Sequence, residues 1–175
     1  EDEDATKISN RRDDNDEYTV SKLLGTEGSD QDALGFYRRL SVLPDVKEMS
    51  KAVLTRLADI GGSVSSSALY LWQNENRSLK CFAAANYLDK DRVGIDRELF
   101  QQLKRVNRPI KLRSSASALT EPSQTRLIVP MMLDTEVFGF AYLRIKQSPS
   151  DISDVLVAKF FDVLRLAAPL MSNAM

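Results

Sequence analysis

Hydrophobic residues are densest between Arg126 and Gln147, RLIVPMMLDTEVFGFAYLRIKQ, where one polar turn splits a long apolar run in its middle. The pattern predicts two strands. Leu127 to Leu133 and Val137 to Ile145 are rich in β-branched and aromatic residues, and Asp134-Thr135-Glu136 between them has room only for a hairpin connection. In the second strand Phe138, Phe140 and Tyr142 alternate with Val137, Gly139, Ala141, Leu143 and Ile145, so both faces carry apolar side chains. A sheet covered on both sides follows, and helices must supply at least one cover.

Residues 1–29 carry many charges and few large apolar side chains, which predicts a disordered acidic leader that cannot offset the entropy of ordering. A helix is expected from near Asp30, with Leu34, Tyr37 and Leu40 on one stripe and a stop at Pro44. Asp45 then stands as N-cap with Glu48 three residues later. Val46, Met49, Val53, Leu57 and Ile60 follow at helical spacing until Gly61-Gly62 ends the run. Ala68 to Trp72 and Leu79 to Ala85 predict a second hairpin around the polar turn Gln73 to Arg77.

A charged connection from Asp89 to Asp96 leads into DRELFQQLKRV, with Leu99, Phe100, Leu103 and Val106 on one face. Acids in its first turn and Lys104 and Arg105 near its end suit the helix dipole. Asn107 and Pro109 close this helix, Pro109 to Arg113 forms a short strand, and SSASALTEPSQT to Thr125 is a polar loop. The last helix runs from Asp151 to about Ala168, with Ile152, Val155, Leu156, Lys159, Phe160, Val163 and Ala167 approximating one stripe. Val157, Phe161, Leu164 and Leu166 exceed that stripe, so a second side needs cover. Either helix 30–43 supplies it, or Val157, Phe161 and Leu164 form a dimer interface. Ser172-Asn173-Ala174-Met175 resembles the remnant of tag removal, which sets the domain at residues 30–171 and a tag-like tail at 172–175.

Composition narrows the function. A net charge of −1 offers no field for nucleic acid or anionic membrane, so neither is expected as a partner. The single cysteine, Cys81, cannot form an intrachain disulfide, and no apolar run reaches the roughly 18 residues of a membrane span, which together predict a reducing, cytoplasmic setting. The chain has no histidine at all. That removes the usual general base, the Ser-His and Cys-His pairs, and His-ligated zinc and haem, so no catalytic residue, cofactor or metal is expected and an enzyme is disfavoured. Asp89, Asp91, Gly94 and Asp96 approach a calcium loop, but Val93 and Phe100 occupy two positions that need oxygen ligands.

The order of elements implies an α+β protein, an antiparallel sheet with helices packed on its faces. Three stretches, LIVPMMLDTEVFGFAYL, GIDRELFQQLKRVNRPIKL and DISDVLVAKFFDVLRLAAPL, resemble the hairpin, the helix-to-strand passage and the closing helix of GAF domains, the small-molecule-sensing regulatory modules. The resemblance spans about residues 32–170 and implies a GAF/PAS-like fold. It also implies a ligand lying between the sheet and the segments after the second strand. The positions so implicated are Tyr70, Phe82, Ala84, Arg97, Phe100, Arg113 and Arg126. Bilin-attaching and methionine-sulfoxide-reducing members need residues this chain lacks, namely a histidine beside the cysteine and a second cysteine.

Lys104, Arg105, Arg108, Lys111, Arg113 and Arg126 are six cations in a stretch whose only acid is Glu121; Arg113 and Arg126 could hold a phosphate or carboxylate, or all six could simply be solvated. Tyr70, Trp72 and Phe82 could stack on a planar ligand or fill the core. The expected function is a cytoplasmic sensory domain that binds a small, anionic or nucleotide-like ligand. It would signal through terminal helices, as a homodimer or to an effector domain such as a kinase, cyclase or transcription factor. The alternative is a dimerisation or docking module whose pocket is occluded by its own aromatics.

Overall fold

The computed structural model describes residues 27–75, 77–86, 97–113 and 124–175. The leader to residue 26, the 89–96 connection with its calcium-like spacing, and residues 114–123 of the polar loop lie outside them.

The chain divides into two compact units, Glu1–Arg38 and Arg39–Met175. Helix α1, Glu27–Ser41, begins in the first, three residues before the expected boundary at Asp30. Its expected stripe is split: Leu34 and Tyr37 are 48% and 38% exposed, whereas Leu40 is buried.

The second unit holds α2 (Val46–Gly61), β1 (Val64–Gln73), β2 (Ser78–Ala85), α3 (Arg97–Val106), β3 (Ile110–Arg113), β4 (Thr125–Leu133), β5 (Glu136–Ile145) and α4 (Asp154–Asn173). Helix α2 starts and stops where the sequence says. Asp45 accepts a hydrogen bond from the Glu48 N–H at 2.8 Å, and Gly62, at φ 59°, donates its N–H to the Ala58 carbonyl. The Glu48 carboxylate accepts from Lys51 Nζ at 2.7 Å.

The five strands form one sheet in the order β2-β1-β5-β4-β3, every pair antiparallel. The central β4–β5 hairpin turns on two residues, Asp134 and Thr135, because Leu133 already pairs with Glu136. Asp134 takes a left-handed φ of 52°, which its short polar side chain tolerates without a glycine. Gly139 in β5 lies so close to β1 that an added Cβ would strike the Tyr70 carbonyl and the Leu71 backbone. This is why the run Val137-Phe138-Gly139 carries no side chain at its third position.

One face of the sheet, with Leu69, Leu71, Leu127, Val129, Met131, Ala141, Leu143 and Ile145 all buried, packs on α2 and α4. Helix α4 rests on β4 and α2, and the Phe160 ring approaches Gly61 so closely that a Cβ there would sit 3.0 Å from it. The helix is longer than expected and differently rotated. Ser153 caps it, accepting from the Leu156 N–H at 3.1 Å, and it runs through Pro169 to Asn173. Its buried residues are Val157, Phe160, Val163, Leu164, Ala167, Ala168 and Met171, while Val155 of the expected stripe is 67% exposed. Val157 and Leu164 are therefore core residues of this chain and cannot serve a dimer interface. Of the three residues proposed for it, Phe161 alone keeps part of its surface. Among the described residues no helix is long and apolar enough to cross a membrane.

Candidate functional site

The opposite face of the sheet carries the site. Helix α3 covers it with Phe100 and Leu103, both fully buried, in a cluster with Ile128, Val137, Phe140 and Tyr142. Amphipathicity explains the docking, since Leu99, Phe100 and Leu103 share one side of α3, and Asn107, at φ 48°, ends the helix by donating its N–H to the Leu103 carbonyl.

The residues beneath α3 lie in rows set by strand register. One row pairs Tyr70, Phe140 and Pro130; the next pairs Ala84, Ala68, Tyr142, Ile128 and Ile110; the next pairs Ser66, Arg144, Arg126 and Leu112. The face thus passes from aromatic to cationic over three rows. At its aromatic end the rings pack on one another: Tyr70 stacks on Phe140 at 5.1 Å, Trp72 stacks on Phe100 at 5.2 Å, and Phe100 lies tilted against Phe140 at 6.1 Å. Lys104 closes this end, its Nζ 4.9 Å from the centroids of both Trp72 and Phe100.

At the cationic end Arg126 and Arg144 stand directly opposite one another on adjacent strands, both half-buried. Like charges in that relation repel. Ser66, opposite Arg144 on its other side, is 5% exposed, and neither its Oγ nor the buried Arg126 Nε has a hydrogen-bond partner. Buried donors without acceptors cost free energy, and the Arg126 guanidinium with the Ser66 hydroxyl offers donors of the kind an oxyanion accepts.

The residues implicated by sequence are only partly brought together. Tyr70, Ala84, Phe100 and Arg126 belong to this face. Arg97 opens α3, and Arg113 ends β3 at the position opposite Thr125, one step out of phase with Arg126. Arg144, not Arg113, shares the Arg126 row. The alternation Phe138, Phe140, Tyr142 already ran toward Arg144, so the signal was present.

Phe82 belongs elsewhere. Ala83 pairs with Leu69 and Cys81 with Tyr70, so Phe82 is the extra residue of a β-bulge. It lines a cleft of about 450 Å³ with Asp45, Val46, Gln73, Glu75 and Met175, on the α2 side, and Lys80 Nζ lies 5.2 Å from its ring. Exposed Cys81 donates to the Ala83 carbonyl across the same bulge. Two other cations of the basic stretch are engaged: Lys104 over the rings, and Lys111 through bonds from its Nζ to the Ile152 carbonyl at 2.9 Å and Asp154 Oδ1 at 3.1 Å.

No protein-family model matches the sequence, and no curated protein matches it. Solved structures do. The GAF domain of an Acinetobacter phosphoenolpyruvate-protein phosphotransferase aligns with a TM-score of 0.65 at 15% identity, over 86% of this chain and 96% of that one. The GAF domain/HD domain protein from Geobacter sulfurreducens aligns with a TM-score of 0.53 at 22% identity, over 77% and 97%. Residues 122 to 287 of a methyl-accepting chemotaxis protein align with a TM-score of 0.57 at 16% identity, over 82% and 98%. Sheet order, helix placement and these superpositions agree: the chain has the fold of a GAF domain.

Proposed function

We propose that the chain is a sensory, regulatory domain that binds a small anionic molecule on the α3 face of its sheet and passes occupancy to an effector domain or a second copy. The observation that carries this reading is the row of Ser66, Arg144 and Arg126, because a fold stabilised by packing alone has no use for two guanidiniums facing each other across β4 and β5. The similar structures support a regulatory setting, one being a chemotaxis protein and another a GAF domain/HD domain protein. The absence of histidine in the chain supports a binding role over a catalytic one. Binding would act by favouring one of two arrangements, since only differential affinity shifts such an equilibrium.

A docking module with an occluded pocket is the second reading. It draws on the stacked rings of Tyr70, Phe140, Trp72 and Phe100, which occupy the aromatic half of the face themselves. Native mass spectrometry of the purified protein against a denatured control separates the two. A retained non-covalent mass is expected for the sensor; a dimer with no added mass, and no melting shift from a metabolite library, overturns it in favour of docking.

A further inference from the structure

We propose that Lys111 couples the α3 face of the sheet to the start of α4, so that a displacement on that face is read out at residues 152–156. This rests on the sensory reading above and names the route by which occupancy leaves the site. Three observations carry it.

The first is how β3 divides its side chains. Ile110 pairs with Ile128 and Leu112 with Arg126, and both pack against the cluster that holds Phe100, Leu103 and Tyr142 under α3. Lys111 lies between them and so projects from the opposite face, where its pairing partner Leu127 is fully buried. There it reaches the connection into α4, with Nζ 2.9 Å from the Ile152 carbonyl and 3.1 Å from Asp154 Oδ1. One short strand thus touches the candidate site with two side chains and the last helix with the residue between.

The second is how the two ends are held. Strand β3 has four residues and, in the described sheet, one neighbour, β4. It follows α3 after only three residues, Asn107 to Pro109, so a shift of α3 passes directly into it. At the other end Ile152 is buried and Ser153 caps the helix, so Lys111 grips a packed point of the chain.

The third is the chemistry of the position. The first turn of a helix carries partial positive charge and disfavours a cation, and the row Lys111, Leu127 and Leu143 is otherwise apolar. A leucine at 111 would satisfy both preferences, and a residue that defies both marks a local conflict of the kind found where the fold has a task. Asp154 is 99% exposed, so its charge is screened and the bond to the Ile152 carbonyl is what remains. A displacement of roughly 1 Å ends such a bond, which makes it sensitive to small movements of β3.

The test is a double-mutant cycle on the full chain without ligand, read by hydrogen exchange at residues 152–156, with α2 as the reference for global opening. Leu112→Ala loosens β3 on the α3 face, and Lys111→Met removes the tie while keeping the stem packed. Each single variant should raise exchange at 152–156 about fivefold, the effect of losing a hydrogen bond. The double variant should exchange no faster than Lys111→Met alone. Leu79→Ala trims the same cluster from β2, at the far edge of the sheet, and should leave 152–156 at the parent rate. On a Lys111→Arg background, which keeps a donor at the position, Leu112→Ala should still raise it.

A double variant whose increase is the product of the two single ones overturns the coupling, as does Leu112→Ala with 152–156 unchanged. An equal rise in Leu79→Ala also overturns it, because the cause would then be general softening of the cluster. No ligand enters the cycle, so its failure leaves the sensory reading to the retained mass in native mass spectrometry, and an empty spectrum there leaves the measured coupling in place.

Discussion

Phe100 is, with Leu103, one of the two fully buried side chains that hold α3 to the sheet, and its replacement by alanine measures how firmly the aromatic half of the face is closed. The ring is 1% exposed, stacked on Trp72 and tilted against Phe140. Burial of a phenylalanine side chain stabilises by about 1.5–3 kcal/mol, and an aromatic pair adds about 0.5–1.5 kcal/mol beyond its area. The cavity left behind adds its own cost, so Phe100→Ala should destabilise by about 3–5 kcal/mol. Against a total stability of roughly 5–15 kcal/mol for a domain, that is at least about a fifth.

The chain reports this loss by itself, because Trp72 is its only tryptophan and sits on the mutated ring. Urea unfolding followed by Trp72 emission should show a red-shifted native baseline and a lower midpoint. Far-UV circular dichroism on the same samples tells a global loss from a local release of α3, since only the former moves both transitions together. Phe100→Leu keeps most of the apolar volume and should cost under about 1.5 kcal/mol. An unchanged Trp72 spectrum with a loss below about 1 kcal/mol would refute the packing argument.

Two further substitutions test how the sheet is joined to its surroundings. Gly139→Ala should cost about 2–3 kcal/mol, because the new Cβ meets the Tyr70 carbonyl and the Leu71 backbone and can be relieved only by parting β1 from β5. In a domain of this size that lowers Tm by roughly 5–10 °C in a calorimetric scan, and a change within a degree would contradict the register. Lys111→Met keeps the stem packed but removes the bonds to the Ile152 carbonyl and Asp154. Asp154 is 99% exposed, so its share is screened and the total should be only about 1 kcal/mol. Hydrogen exchange should rise at residues 152–156 and not in α2; uniform exchange would show that Lys111 does not anchor the start of α4.

The elements legible in the sequence were those with chemical punctuation. Asp45 and Gly62 bound α2 because one accepts a first-turn N–H and the other adopts a left-handed φ, and Asn107 closes α3 in the same way. The hairpin around Asp134 was legible from two apolar runs at the period of a strand. What lacked a local signature was missed. A bulge is one residue of extra length, visible only once Cys81 and Ala83 have partners, and it alone moves Phe82 to the α2 side. Helix α4 also continues past the end expected near Ala168, through Pro169. Here the proline is exposed, and the bond it removes would have gone to the carbonyl of Arg165, itself on the solvent side, where water can replace it.

Of the arginine row the sequence singles out Arg126 but not Arg144, for a different reason that bears on function. Periodicity finds side chains that agree with the fold, and Arg144 disagrees with it. The rows above resolve their cross-strand pairing with Phe140 against Tyr70 and with Tyr142 between Ala68 and Ile128, so a valine or leucine at 126 and 144 would have completed the same apolar surface. Two opposed arginines in place of that solution set local preference against packing, and such conflicts concentrate where a protein's stability has been traded for a task. A docking module needs the aromatic end of this face and nothing at the other. The cationic end is therefore where the two readings part, and neutralising it should leave the fold intact while removing whatever the domain responds to.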